Sequence, residues 1–232
     1  MSGRSFVTPE FRARVRLIAV PIALVLGKLG LTPNALTIVG FLGTCVAAAA
    51  AAAQLWVLAG ILVIVFGIFD LFDGALARAT NQASAFGAFL DSTLDRTGEN
   101  LVYAGVAVGC AAAGFTAGVA LAALAMATAS VVTYARARAE AVGLHGEVGI
   151  APRPERLVVL ATGLVVTGFL GGIAPTYSPA PGAVMMDVNL AITGAGQNGG
   201  PALAIALGLI VVTCAITIVQ RIVHVQRQAA HR

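Results

Sequence analysis

Four aspartates in the segment FDLFDGALARATNQASAFGAFLDSTLDR, namely Asp70, Asp73, Asp91 and Asp95, sit at or inside the ends of two strongly apolar stretches. That placement is costly: an Asp at a membrane-helix centre is charged about 2.5–3.5 kcal/mol on insertion scales, so four of them demand compensation. Asp70 and Asp73 are three positions apart and Asp91 and Asp95 four, so on helices each pair projects from one face. Four anions held together need cations. With no Cys or His nearby to invite zinc, oxygen-only ligation selects a hard ion such as Mg2+, Mn2+ or Ca2+. Two such ions about 3.5–4 Å apart, bridged by carboxylates, can clamp phosphate oxygens and stabilise the entering and leaving oxygens of a displacement. Gly74, Ala77 and Gly87 would let a bulky nucleotide approach the backbone, and Arg78 could meet a phosphate. Taken singly, the small residues would serve only helix packing and Arg78 would snorkel to the membrane surface.

The elements that must position these residues are membrane helices. The chain of 232 residues is 59% hydrophobic and 10% charged, with a mean hydropathy of +0.93, far from a soluble domain. A crossing helix needs about 20 apolar residues. Six runs of that kind are predicted, at Asn34–Ala53, Leu55–Ala79, Phe86–Ala113, Ala117–Gly143, Arg156–Leu170 and Pro201–Gln226. The turn at Thr80–Ala85 is expected to make the second and third antiparallel neighbours and so bring the four carboxylates together. Residues 34–226 are thus read as an all-α six-helix membrane bundle forming one domain over residues 1–232. Cys45, Cys110 and Cys214 are isolated in apolar runs and read as small core residues.

Six crossings put both termini on one side. Arginines cluster at the N-terminus, near Arg78, between Arg136 and Arg156, and in the tail, while Gly171–Gly200 has Asp187 and no Lys or Arg. The positive-inside rule then makes the termini and the carboxylate site cytoplasmic in a multi-pass plasma-membrane protein, with Gly171–Gly200 outside. Residues 8–28 mix Arg12, Arg14 and Arg16 with apolar positions and lack a small-residue cleavage site before Lys28. They are read as an amphipathic helix at the cytoplasmic interface in preference to a signal peptide.

On these residues the chain resembles the CDP-alcohol phosphotransferase family, whose signature is D-x2-D-G-x2-A-R-x8-G-x3-D-x3-D. Asp70, Asp73, Gly74, Ala77, Arg78, Gly87, Asp91 and Asp95 occupy all eight of its fixed positions. The resemblance implies that Asp70, Asp73, Asp91 and Asp95 bind two divalent cations, Mg2+ or Mn2+, and that Asp95 is also the proton acceptor for the attacking hydroxyl. It implies attack on the lipid-side phosphorus of a CDP-lipid, with CMP leaving. The family has a nucleotide-contacting segment before its first membrane helix, and Thr32-Pro33-Asn34-Ala35-Leu36-Thr37 looks like it, although the same residues would suit a plain helix start. The implied CDP-lipid contacts are Asn34, Thr37, Asp70, Asp73, Gly74, Ala77, Arg78 and Ser84.

The acceptor is read from YARARAEAVGLHGEVGIAPRPERL, which looks like the corresponding region of the bacterial phosphatidylinositol phosphate synthases, especially in its R-P-E-R at Arg153–Arg156. By that likeness Arg136, Arg156 and Arg221 bind the phosphate of an inositol phosphate. The family pattern would have Lys at Arg136 and an acidic residue near Pro152. The competing reading is that these arginines only obey positive-inside topology. The expected partners are CDP-diacylglycerol, inositol phosphate, membrane lipids and, from the family, a second copy in a homodimer; no nucleic acid is expected. Glycerol phosphate as acceptor, an ether-linked CDP-lipid as donor, or a divalent-cation transporter are the alternatives. His145, His224, His231 and Glu99 are left outside the catalytic set.

Overall fold

The computed structural model describes residues 20–173 and 198–230. These are helical: α1 (Pro33–Ala52), α2 (Trp56–Ala79), α3 (Ala85–Ala112), α4 (Thr116–Ala141), α5 (Arg153–Phe169) and α6 (Gly200–Ala230), with a further helical stretch over residues 20–28. Local chemistry starts two of them. Thr32 Oγ1 accepts from the Ala35 N–H at 3.2 Å ahead of Pro33, and Ser84 Oγ accepts from the Gly87 N–H at 3.0 Å. The α2–α3 turn puts Asn81 at φ 54°, in the left-handed region that Asn tolerates.

The expected spans match α1 to α4 closely, but α5 begins at Arg153 instead of Arg156 and α6 runs on to Ala230. Pro154 sits in the first turn of α5, where its missing N–H costs nothing. Four of the six helices, α1, α2, α4 and α6, are long and apolar enough to cross a membrane. α3 has 28 residues, but its first 15 carry Asp91, Asp95, Arg96 and Glu99, and α5 has only 17. Of the expected interfacial helix, positions 8–19 with Arg12, Arg14 and Arg16 lie outside the described residues. Its remainder buries Ala23 against Leu36 of α1 and Ala75 and Leu76 of α2. Positions 174–197 and His231 also lie outside them. Ile173 and Asn198 form an antiparallel bridge where the chain leaves and re-enters the described part.

The helices pack as a closed ring in the order α1, α2, α5, α6, α4, α3 and back to α1. This corrects one expectation: α2 and α3 do not pack along each other, because α1 lies between them and packs on both. The core runs through the ring on Trp56, Tyr103, Leu160, Leu164, Leu203 and Leu207, with Cys110 and Cys214 buried among them. Outward faces carry exposed Ile38, Leu42 and Val46 on α1, Ile61, Ile64 and Ile68 on α2, and Val212, Ile216 and Val219 on α6. Such a belt suits lipid.

The ring closes through small residues. A Cβ on Gly105 of α3 would stand 2.2 Å from the Ala48 carbonyl oxygen of α1, and one on Gly109 would stand 2.3 Å from that of Ala51. These backbones touch with no room for a side chain. Gly105→Val is therefore expected to destabilise the fold by about 1–3 kcal/mol through overpacking. Gly208→Ala on α6, where nothing lies within 4 Å, should leave it unchanged. Thermal melting in detergent compares the two.

Candidate active site

The four aspartates sit where the last turns of α2 and the first turns of α3 meet one end of the ring. Asp73 is 5% exposed; its Oδ2 accepts from Thr37 Oγ1 of α1 at 2.6 Å and its Oδ1 from the Gly74 N–H at 2.5 Å. Asp70 and Asp95 face the other way. Their Oδ2 atoms accept from a single nitrogen, Nη1 of Arg153 on α5, the Asp95 bond measuring 2.5 Å. Asp91 Oδ1 is buried without a hydrogen-bond partner. Each helical pair thus sends one carboxylate to Thr37 or the pocket described next, and the other to Arg153.

That pocket, of about 210 Å³, lies among α1, α2 and α3. Seven of the eight expected CDP-lipid contacts line it: Asn34, Thr37, Asp73, Gly74, Ala77, Arg78 and Ser84; Asp70 does not. Asp91 joins them from α3. The small residues are there for close approach. A Cβ on Gly87 would be 3.1 Å from Asn34 Oδ1, and one on Gly74 would be 3.3 Å from the Arg78 guanidinium, which lies over it. The Thr32-Pro33-Asn34 segment is therefore both a helix start and a pocket wall.

The three arginines expected at the acceptor side lie at the same end, on α4, α5 and α6, with Arg221 close enough to feel the charges of both Arg136 and Arg156. Their present partners differ. Arg136, half exposed, pairs with Glu140 at 2.8 Å and with Glu147. Arg221 donates to the backbone carbonyls of Val148, at 2.9 Å, and Val132, and is in no ion pair among the described residues. Arg156 departs most from the expectation. It is 1% exposed and grips Glu99 through Nε at 2.8 Å and Nη2 at 2.7 Å, while Nη1 donates to the Ala151 carbonyl at 2.9 Å.

Two residues of the site were given no role from the sequence, Glu99 because it was left outside the catalytic set. Glu99, one turn beyond Asp95, extends an acidic stripe of α3 at positions 91, 95 and 99, and it answers Arg156. Arg153 was named only as the first residue of R-P-E-R, the family likeness assigning a role to the last. Read as a helix with Pro154 in its first turn, R-P-E-R puts both arginines on one face, three positions apart.

A hard divalent cation fits this donor set. The carboxylates are all oxygen donors, Asp91 Oδ1 lacks a partner, and a guanidinium cation already bridges Asp70 and Asp95. Among the described residues no three acidic, His or Cys side chains converge on one point as a ligand set. Arg153 stands between two of the acids and Asp73 is turned to Thr37.

Comparison with known proteins bears on the same residues. The CDP-alcohol phosphatidyltransferase family model matches residues 30–229. An archaetidylinositol phosphate synthase of Methanothermobacter thermautotrophicus is 38% identical over 66% of this chain and 75% of its own. A phosphatidylinositol phosphate synthase of Mycobacteroides abscessus is 38% identical over 69% of this chain and 74% of its own. The crystal structure of Mycobacterium tuberculosis phosphatidylinositol phosphate synthase with CDP-DAG bound superposes with a TM-score of 0.72 at 32% identity, covering 90% of this chain and 93% of that one. The same enzyme in complex with manganese and citrate gives 0.71, covering 90% and 88%. With six of its eight signature residues lining one pocket and a family model that matches residues 30–229, this chain belongs to the CDP-alcohol phosphatidyltransferase family.

Proposed function

We propose that the chain is an integral-membrane phosphatidylinositol phosphate synthase that transfers the phosphatidyl group of CDP-diacylglycerol to inositol phosphate and releases CMP. The observation that carries this is the pocket holding seven expected CDP-lipid contacts beside the four signature aspartates, with arginines from α4, α5 and α6 at the same end. The synthases of M. abscessus and M. tuberculosis, similar over most of their length, support inositol phosphate over glycerol phosphate. The archaeal relative keeps an ether-linked donor as the second reading. A cation pathway would have no use for the pocket that Gly74, Ala77 and Gly87 leave open, or for Arg78.

Asp70, Asp73, Asp91 and Asp95 hold two divalent cations, Mg2+ or Mn2+. Bound there, the cations supply positive charge to the phosphate oxygens of the donor. Asn34, Thr37, Gly74, Ala77, Arg78 and Ser84 seat the nucleotide and its pyrophosphate, the small residues giving way and Arg78 providing charge-assisted hydrogen bonds. Asp95 takes the proton of the acceptor hydroxyl as its oxygen attacks the lipid-side phosphorus. The bond from that phosphorus to CMP breaks and CMP departs with the electron pair. Arg136 and Arg221 receive the acceptor phosphate, and Arg156, held by Glu99, backs the same patch.

The same reading takes all six helices as crossings, with α3 and α5 pairing Asp95 with Arg153 and Glu99 with Arg156 inside the ring. It makes the protein a plasma-membrane homodimer with both termini and the site cytoplasmic, in line with the arginine distribution. A lipid donor then enters sideways from the bilayer while a sugar phosphate arrives from the cytoplasm.

Asp70→Asn and Asp91→Asn should abolish CMP release while the protein still folds, since shape is nearly kept and a negative ligand is lost. Asp95→Asn should be equally inactive but retain CDP-diacylglycerol binding. Near-normal turnover in the first two would rule out the carboxylate site.

Arg221→Ala should raise the apparent KM for inositol phosphate about tenfold to hundredfold, the worth of one charge-assisted contact, and leave that for CDP-diacylglycerol nearly unchanged. Free inositol should be a poor acceptor by a similar factor. If glycerol phosphate or free inositol serves better, the acceptor assignment fails and the family chemistry remains. For orientation, a single Cys placed at the exposed His145 should be labelled only from the cytoplasmic side, and labelling from outside would invert the topology.

A further inference from the structure

We propose that the Arg153 guanidinium competes with divalent cations for Asp70 and Asp95, so that loading the metal site requires this side chain to move. The inference rests on the divalent-cation reading of the four carboxylates given above. One nitrogen, Nη1, bridges Oδ2 of Asp70 and Oδ2 of Asp95. A small divalent cation binding both carboxylates would seek the same oxygens at about 2.0–2.2 Å, within the space that nitrogen fills.

Charge makes the two occupants alternatives. The side chains of Arg153, Asp70 and Asp95 are 23%, 23% and 20% exposed, so water screens them little and an unpaired charge there is costly. Two divalent ions neutralise four carboxylates in full, and a guanidinium left among them would be a surplus cation under repulsion. Exchange of one cation for the other keeps the acids paired throughout.

The two arginines of R-P-E-R are built differently for this. Arg156 is locked by three hydrogen bonds to Glu99 and the Ala151 carbonyl. Arg153 has a buried Nε with no partner, and its two bonds both go through Nη1 to the acids in question. It is also the first residue of α5, preceded by the extended Pro152, so its side chain can withdraw without unwinding a turn. Arg153 is thus a positioning residue whose displacement accompanies metal entry, beside a fixed Arg156.

The test uses full-length protein in detergent, stripped with chelator and titrated with Mn2+ while free Mn2+ is read by electron paramagnetic resonance. Arg153→Gln should bind Mn2+ about tenfold or more tightly than wild type, because its competitor is gone, and Arg153→Lys should fall between the two. Asp70→Asn should lose binding. A second measurement needs no variant: phenylglyoxal modification of wild type, located by mass spectrometry, should increase several-fold at Arg153 on adding Mn2+ while Arg156 stays protected. Affinity unchanged or weakened in Arg153→Gln, or Arg153 labelling that Mn2+ does not raise, overturns the competition even where Asp70→Asn confirms the metal site. Absence of saturable Mn2+ binding in wild type, or Asp70→Asn titrating like wild type, overturns the metal reading and this inference together.

Discussion

Carboxylates withdrawn from water have to be met by positive charge, and the polar end of the bundle is organised by that requirement. On α3, Asp95 and Glu99 meet two arginines of α5, and Asp70 of α2 joins them through Arg153. Removing one partner of such a buried pair commonly costs about 3–5 kcal/mol, because the survivor is stranded. The layer also has a geometric role. α2 and α3 do not pack along each other, so Arg153 is a direct tie between their carboxylates.

Around that layer the fold is a ring in which backbone meets backbone. Gly105 and Gly109 of α3 rest on Ala48 and Ala51 of α1, and Gly60 of α2 rests on the Ala161 carbonyl of α5, with a would-be Cβ only 2.7 Å away. Lipid offers helices no hydrophobic reason to associate, so close approach and dispersion must hold them. The polar end differs in kind: its residues leave space, and the pocket among α1, α2 and α3 exists because Gly74, Ala77 and Gly87 present little side chain there.

The helical spacing of the acids gives the site two faces. Asp73 and Asp91 line the pocket, and Asp70 and Asp95 face Arg153, so each helix contributes one carboxylate to each side. Thr37 holds Asp73 in place from α1, the one helix that packs on both carriers of the acids.

Much of this was legible in the sequence, because lipid as solvent leaves few options: apolar runs of crossing length become helices, and intramembrane acids in register become a site. The eight spaced residues of the signature determined the family, and the pocket gathered seven of the eight expected donor contacts. What the sequence could not show was which helix lies beside which. Ring order depends on where small residues allow backbones to touch, and placing α1 between α2 and α3 follows from Gly43, Gly105 and Gly109 only once their partners are known. The pairing of Glu99 with Arg156, and the choice of Arg153 to bridge Asp70 and Asp95, likewise join residues more than fifty positions apart in sequence. Local spacing governs which face a charge occupies, and only the packed helices decide which opposite charge it meets.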